Sequence, residues 1–169
     1  MGIEKSYARA TISTNLKDDA FHHDHEKLAA VALSGVATGS IGHILFRVKY
    51  ANDASSFNRL LGEWETIVGV KSVIRSWPQH ADHKRIAGLS LNHWLNDVCT
   101  TCGGKGHLEL MPRVLDDEPC PACKGTGAAE LACEKRDFKY VSEMVESLHE
   151  MARTAASQAM QKLVNDMDF

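Results

Sequence analysis

Apolar side chains recur at spacings of three and four along most of this chain, which is the period of a helix rather than of a strand. The clearest stripe is Phe138, Val141, Val145, Leu148, Ala152, Ala155, Ala159 and Leu163, with charges on the other faces. It predicts one long helix over residues 134–165. A helix of about 30 residues exceeds the average in globular domains. It must pack across the whole domain or be shared with a partner, and in the second case self-association through it is expected.

A second stripe runs through Leu60, Leu61, Trp64, Ile67 and Val68. Ser55 or Ser56 suits its N-cap, and Trp77-Pro78 ends the block. Asp18 and Asp19 offer a cap to a further helix over Ala20–Leu33, and a helical pattern resumes near Ala81. The uncharged run Leu28–Phe46, LAAVALSGVATGSIGHILF, approaches the length of a membrane span, at about 20 residues. Three glycines, several hydroxyls and His43 interrupt it. It reads as a buried helix, a turn and a second buried segment, so no membrane span is expected.

The stretch HKRIAGLSLNHWLNDV, residues 83–98, invites comparison with a helix-turn-helix unit. A short helix would end near Ala87, Gly88-Leu89-Ser90 would make the turn, and Ser90 would cap a second helix from Leu91. Leu91, Trp94 and Leu95 would point inward, and Asn92, His93 and Asn96 outward. Asn92 suits an adenine edge, and Lys84 and Arg85 suit phosphates. An ordinary helical corner fits the same residues. Lys135, Arg136 and Lys139 form a second basic group further on.

Between these groups lies CTTCGGKGHLELMPRVLDDEPCPACKGTG, residues 99–127. Cys99 and Cys102 form one CxxC pair, Cys120 and Cys123 another, and 17 residues separate them. A CxxC turn aims two thiolates at one point, and two such knuckles facing each other make a tetrahedral site for one Zn²⁺. Each pair is followed by Gly-x-Gly, at Gly104 and Gly106 and at Gly125 and Gly127, so the unit CxxCxGxG occurs twice. Glycine permits a tight turn through positive φ. The loop LELMPRVLDDEP suggests a short hairpin arm closed by Asp116, Asp117 and Pro119, its acidic tip directed away from any bound DNA.

A redox pair is the competing interpretation. A thioredoxin-like CxxC occurs once, ahead of a helix in a βαβ context, and no such pattern surrounds these cysteines. Catalytic zinc is disfavoured, because four thiolates leave no open position. His107 is then a spare ligand, and the fifth cysteine, Cys133, reads as a half-buried small hydrophobe. His22 and His25 could share a helix face and hold another metal, although the sequence places no further ligand beside them.

Composition changes little. The chain has 169 residues, 44% hydrophobic and 24% charged, as expected of a globular protein. A net charge of −3 means that any nucleic-acid surface must be local. No secretory signal is visible, so a cytoplasmic location with reduced thiols is expected. No nucleophile elbow, phosphate loop or paired-carboxylate motif points to an enzyme. The expected fold is mostly α: a small helical domain with an inserted four-cysteine zinc-knuckle and β-hairpin unit. Residues 1–78 would form an N-terminal helical region, and 79–169 a zinc-containing helical DNA-binding region with its zinc unit at 98–128. One compact domain spanning both is the alternative.

The doubled CxxCxGxG unit resembles the zinc region of DnaJ-type co-chaperones, but those carry four knuckles and two zincs. This chain has two knuckles, no HPD tripeptide and no Gly/Phe linker. It is closer to the late-gene antitermination proteins Q of lambdoid phages, which it resembles over residues 99–127, while the flanks at 79–98 and 128–165 agree in style. The resemblance implies a small, mostly helical protein with a single zinc, working in the host bacterial cytoplasm. It implies binding to double-stranded DNA at a late promoter, and association with bacterial RNA polymerase and its sigma factor to suppress pausing and termination. A DnaJ-like zinc module that binds a protein partner, and a small structural or RNA-binding zinc protein, are the alternatives.

Overall fold

The computed structural model describes residues 40–50, 52–111 and 114–166, with side chains described except at 109–117 and 162–166. The helix expected over Ala20–Leu33 and the histidines His22 and His25 lie outside the described residues. Among the described residues, four helices and one hairpin follow in order: α1 (Ile41–Tyr50), α2 (Ala54–Ile74), α3 (His83–Leu95), β1 (His107–Met111), β2 (Val114–Pro119) and α4 (Phe138–Asp166). The fold is mostly helical with a small two-stranded hairpin, as the sequence leads one to expect. No described helix is long and apolar enough to cross a membrane.

One apolar core joins all four helices. It contains Ile44 and Leu45 of α1, Leu60, Trp64 and Val68 of α2, Ile86, Leu91 and Trp94 of α3, and Val141, Met144 and Leu148 of α4. From Val141 to Ala152 the stripe of α4 is thus used within the chain, and Ala155 and Ala159 extend it against Phe46 of α1, while Phe138 at its start is 52% exposed. The helix runs for 29 residues.

Local chemistry sets the helix ends. α2 is capped by Asp53, whose carboxylate accepts from the amides of Ser55 and Ser56. The cap is therefore not Ser55 or Ser56 as expected, because an aspartate two and three residues before them reaches both orphan amides. Arg47 pairs with the same carboxylate. α3 starts behind Asp82, which accepts from the amides of Lys84 and Arg85.

The helix-turn-helix expectation fails at α3, which is one unbroken helix. Gly88 stays helical, and Ser90 is buried in mid-helix rather than at a cap. The Ser90 hydroxyl donates to the carbonyls of Ile86 and Ala87, at 2.8 and 3.1 Å, and accepts from Trp64 Nε1 at 3.0 Å. A helical glycine costs only about 1 kcal/mol. Burying Ile86, Leu91 and Trp94 on one straight face outweighs that cost.

α3 and α4 run side by side in the same direction. Arg85 near the start of α3 meets Asp137 just before α4, with Arg85 Nη2 and Asp137 Oδ1 2.9 Å apart. Trp94 near the end of α3 meets the ring of His149, well into α4. A parallel pair needs a connection that returns the length of the first helix, about 20 Å here. That return holds the two CxxC pairs.

Candidate metal centre

The returning segment is closed at its base by backbone pairing. Val98 and Ala128 form an antiparallel bridge. The amide of Cys99 donates to the Gly127 carbonyl at 2.9 Å, and the amide of Ala129 to the Asp97 carbonyl at 2.8 Å. Lys49 secures this neck to α1: its Nζ donates to Trp94 O and to Asp97 Oδ2, each at 2.7 Å. The same ammonium lies 4.2 Å from the centre of the Trp94 ring, a geometry that favours a cation.

The two knuckles are near copies of each other. The amide of Gly106 donates to Cys102 Sγ at 3.3 Å, and that of Gly127 to Cys123 Sγ at 3.2 Å. Each knuckle also lends the other a backbone bond: Cys99 to Gly127, already described, and the Cys120 amide to the Gly106 carbonyl at 2.7 Å. Gly106 and Gly127 sit at φ +79° and +72°, the left-handed region open to glycine. A Cβ on Gly106 would lie 2.5 Å from the Gly125 carbonyl oxygen, and one on Gly127 would collide with the Gly104 carbonyl in the same way. The glycines are there so that two backbones can touch. Lys124 (φ +54°) occupies the place that Gly103 (φ +58°) holds in the first knuckle.

This arrangement brings Cys99, Cys102, Cys120 and Cys123 together, all buried, with sulfurs within 4.8 Å of one another. The Cys102 and Cys123 sulfurs are 3.7 Å apart. A tetrahedron with metal–sulfur bonds of about 2.3 Å has edges of about 3.8 Å. A disulfide needs about 2.05 Å, and all five cysteines are free. The donor set therefore fits one four-coordinate metal ion, and the four cysteines form a cluster that can hold one.

Local electrostatics also prepares thiolates. The Cys102 amide, with that of Thr101, holds the Cys99 thiol below its usual range. Burial pushes the Cys123 thiol up, but the Gly127 amide and the neighbouring thiols outweigh it and bring it down to about 6. Burial pushes the Cys102 thiol up. Metal binding offsets such a penalty, because a coordinated sulfur shares its charge with the cation.

The other candidates fall elsewhere. His107 turns Nδ1 to the Glu118 carbonyl at 3.3 Å and is not part of the cluster. Cys133 is half-buried against the helical core, its thiol pushed up by burial and by the Asp137 charge. Asp116 and Asp117 lie within β2 and do not close the hairpin, because the pairing runs on past them to Met111 with Val114.

Of the basic candidates, Arg85 is committed inside the fold: its guanidinium donates to the His80 carbonyl and to Asp137, whose side chain is 1% exposed. Arg136 pairs with Glu134 at 2.8 Å. The exposed Asn92 accepts from the Asn96 amide at 3.2 Å. Lys84, Lys135 and Lys139 are exposed and carry no ion pair among the described residues, and Lys124 on the second knuckle is like them. Sequence inspection overlooked Asp137 and Lys124. Nothing in a linear pattern marks an aspartate as the buried partner of an arginine 52 residues away, whereas Lys124 was legible by overlaying the two knuckles.

Against known protein families, curated proteins and solved structures, the chain shows no match.

Proposed function

We propose that the four cysteines hold one zinc ion, and that the chain is a double-stranded-DNA-binding transcription factor of the Q antitermination kind. Zinc follows from four thiolates in a closed tetrahedral shell, a donor set that zinc favours. The shell has no open position, so the metal's role is structural and the protein binds rather than catalyses. The observation that carries the DNA-binding part is where the unpaired cations lie. The Arg85–Asp137 bridge joins the start of α3 to the start of α4. It sets the stretch with Lys84 next to the stretch with Lys135 and Lys139, while every described arginine is paired to an acid.

Lys135 and Lys139 stand four apart, so they share one face of the chain entering α4. They contact phosphates, with Lys84 as a third candidate. Arg85 acts as the residue that positions them rather than as a phosphate ligand. The partners in this reading are late-promoter DNA and bacterial RNA polymerase with its sigma factor, in the bacterial cytoplasm.

The test is fluorescence-anisotropy titration of labelled promoter DNA over a range of salt. The wild type should lose affinity steeply as salt rises, and Lys135→Ala or Lys139→Ala should flatten the salt slope by about one each. Metal analysis on the same preparation should find one zinc per chain. Salt-independent binding, or none with polymerase paused on the promoter, would leave the DnaJ-like protein-binding module in its place.

A further inference from the structure

The outer face of α2 is unusual for a surface helix. Its core face carries Leu60, Trp64 and Val68. On the opposite side Gly62, Thr66, Gly69 and Val73 follow at spacings of four, three and four, which puts them in one stripe. Val73 in the stripe is 77% exposed, and Val70 and Ile74 beside it are 55% and 75% exposed. The stripe and the start of α3 enclose a groove of about 380 Å³, lined among others by Glu65, His83 and Lys84. Nothing lies within 4 Å of a Cβ built on Gly62. Each glycine inside a helix costs about 1 kcal/mol against alanine, and no contact within the chain makes use of the gap at Gly62.

The stripe is complementary to itself. Gly62 is a notch and Val73 a bump, placed symmetrically about the midpoint between Thr66 and Gly69. Turn a second α2 antiparallel, and each Val73 meets the other copy's Gly62, while each Thr66 meets a Gly69 that the chain's own His83 ring flanks, 3.5 Å from a Cβ built there. Charge follows the same symmetry. Glu65 lies toward the Gly62 end and Lys84 lines the groove with Val70 and Val73, and neither has an ion pair among the described residues. An antiparallel copy brings each against the opposite sign. A helix with one sign of charge would satisfy one of them and repel the other.

We infer that this face of α2 docks a second copy of the chain, giving a two-fold dimer with α2 packed antiparallel on α2. Closed two-fold pairing is the commonest form of self-association, and glycine notches let two helices approach closely. Lys84 then lies in the dimer interface, and the phosphate contacts of the proposed function rest on Lys135 and Lys139.

Sedimentation equilibrium of the full chain, zinc present, tests this without DNA. The apparent mass should rise from one chain of 18.6 kDa toward two across the micromolar range. Val73→Glu buries an unpaired charge and should raise the dimer dissociation constant by about a hundredfold or more. Gly62→Leu fills the notch and should weaken the dimer by about tenfold. Glu65→Lys should weaken it too, and Glu65→Lys combined with Lys84→Glu should restore it. Circular dichroism checks that the variants stay folded, as expected of exposed positions. A monomer at every concentration, or a dimer indifferent to Val73→Glu and Gly62→Leu, overturns the inference and assigns the face to another occupant. Because Val73→Glu leaves Lys135 and Lys139 in place, dimerisation and DNA binding can fail separately.

Discussion

The helical body and the cysteine-bearing return between α3 and α4 are held by different physics. The body buries three large aromatic side chains, Trp64, Trp94 and Phe46, at 1% exposure or less. Among the described residues the cysteine unit packs Leu108 against its four thiols, and a two-stranded ribbon is marginal in water by itself. What holds that unit is a backbone bond given in each direction by each knuckle, glycines that allow the approach, and four sulfurs directed at one point. The difference teaches that the return would depend on the ion its four cysteines can hold, whereas the body depends on burial.

The largest expected effect separates the two regions. Chelation, or Cys120→Ser, should remove the metal, with an apparent loss of about 10 kcal/mol or more from the unit. Hydrogen exchange should then rise sharply over residues 99–128, while the amides of α2 and of the first turns of α4 keep most of their protection. Uniform loss across the chain would show that the body also depends on the metal. Cys133→Ser should leave the metal content unchanged.

The second effect lies at the joint between the regions. Arg85→Ala leaves the Asp137 carboxylate, 1% exposed, without its partner. Removing one member of a fully buried pair costs about 3 kcal/mol; here Asp137 is buried but Arg85 is 37% exposed, so the loss should be smaller, and the thermal midpoint should fall by a few degrees with the metal content unchanged. Asp137→Asn in the same chain should recover part of the loss, since it removes the stranded charge. If Arg85→Ala weakens DNA binding without destabilising the fold, the guanidinium is a phosphate contact and not a positioning group.

The smallest effect belongs to the body alone. Asp53→Ala should cost about 1 kcal/mol, as expected for loss of an N-cap. The hydroxyls of Ser55 and Ser56, with the Ser56 amide and the Arg47 charge, hold the Asp53 carboxyl well below the usual carboxylate range. A depressed carboxyl contributes its full stability above its unfolded value and loses it as pH falls through and below that range. The gap between wild type and Asp53→Ala in urea denaturation should therefore be full at neutral pH and close under acid. A gap independent of pH would mean that the cap works through its shape rather than its charge.

The linear pattern alone determined the four cysteines, the glycine tails and the long stripe of α4, because each depends on residues close in sequence or on one simple period. A CxxC pair needs only a local turn to aim two thiolates, and a spacing of three and four needs only a helix. It misread α3, where Gly88 and Ser90 look like a turn. A glycine tolerates either a turn or a helix, and the choice came from the core, where Ile86, Leu91 and Trp94 are buried with Trp64, which is 26 residues from Ser90 and hydrogen-bonds to it. The tertiary structure also decided the fate of the charges. Arg85 and Lys135 are equally basic in sequence, yet one is spent on Asp137 and the other is left to solvent. Whether a charge is free depends on what the fold brings beside it, and an ion pair between distant segments leaves no periodic mark along the chain.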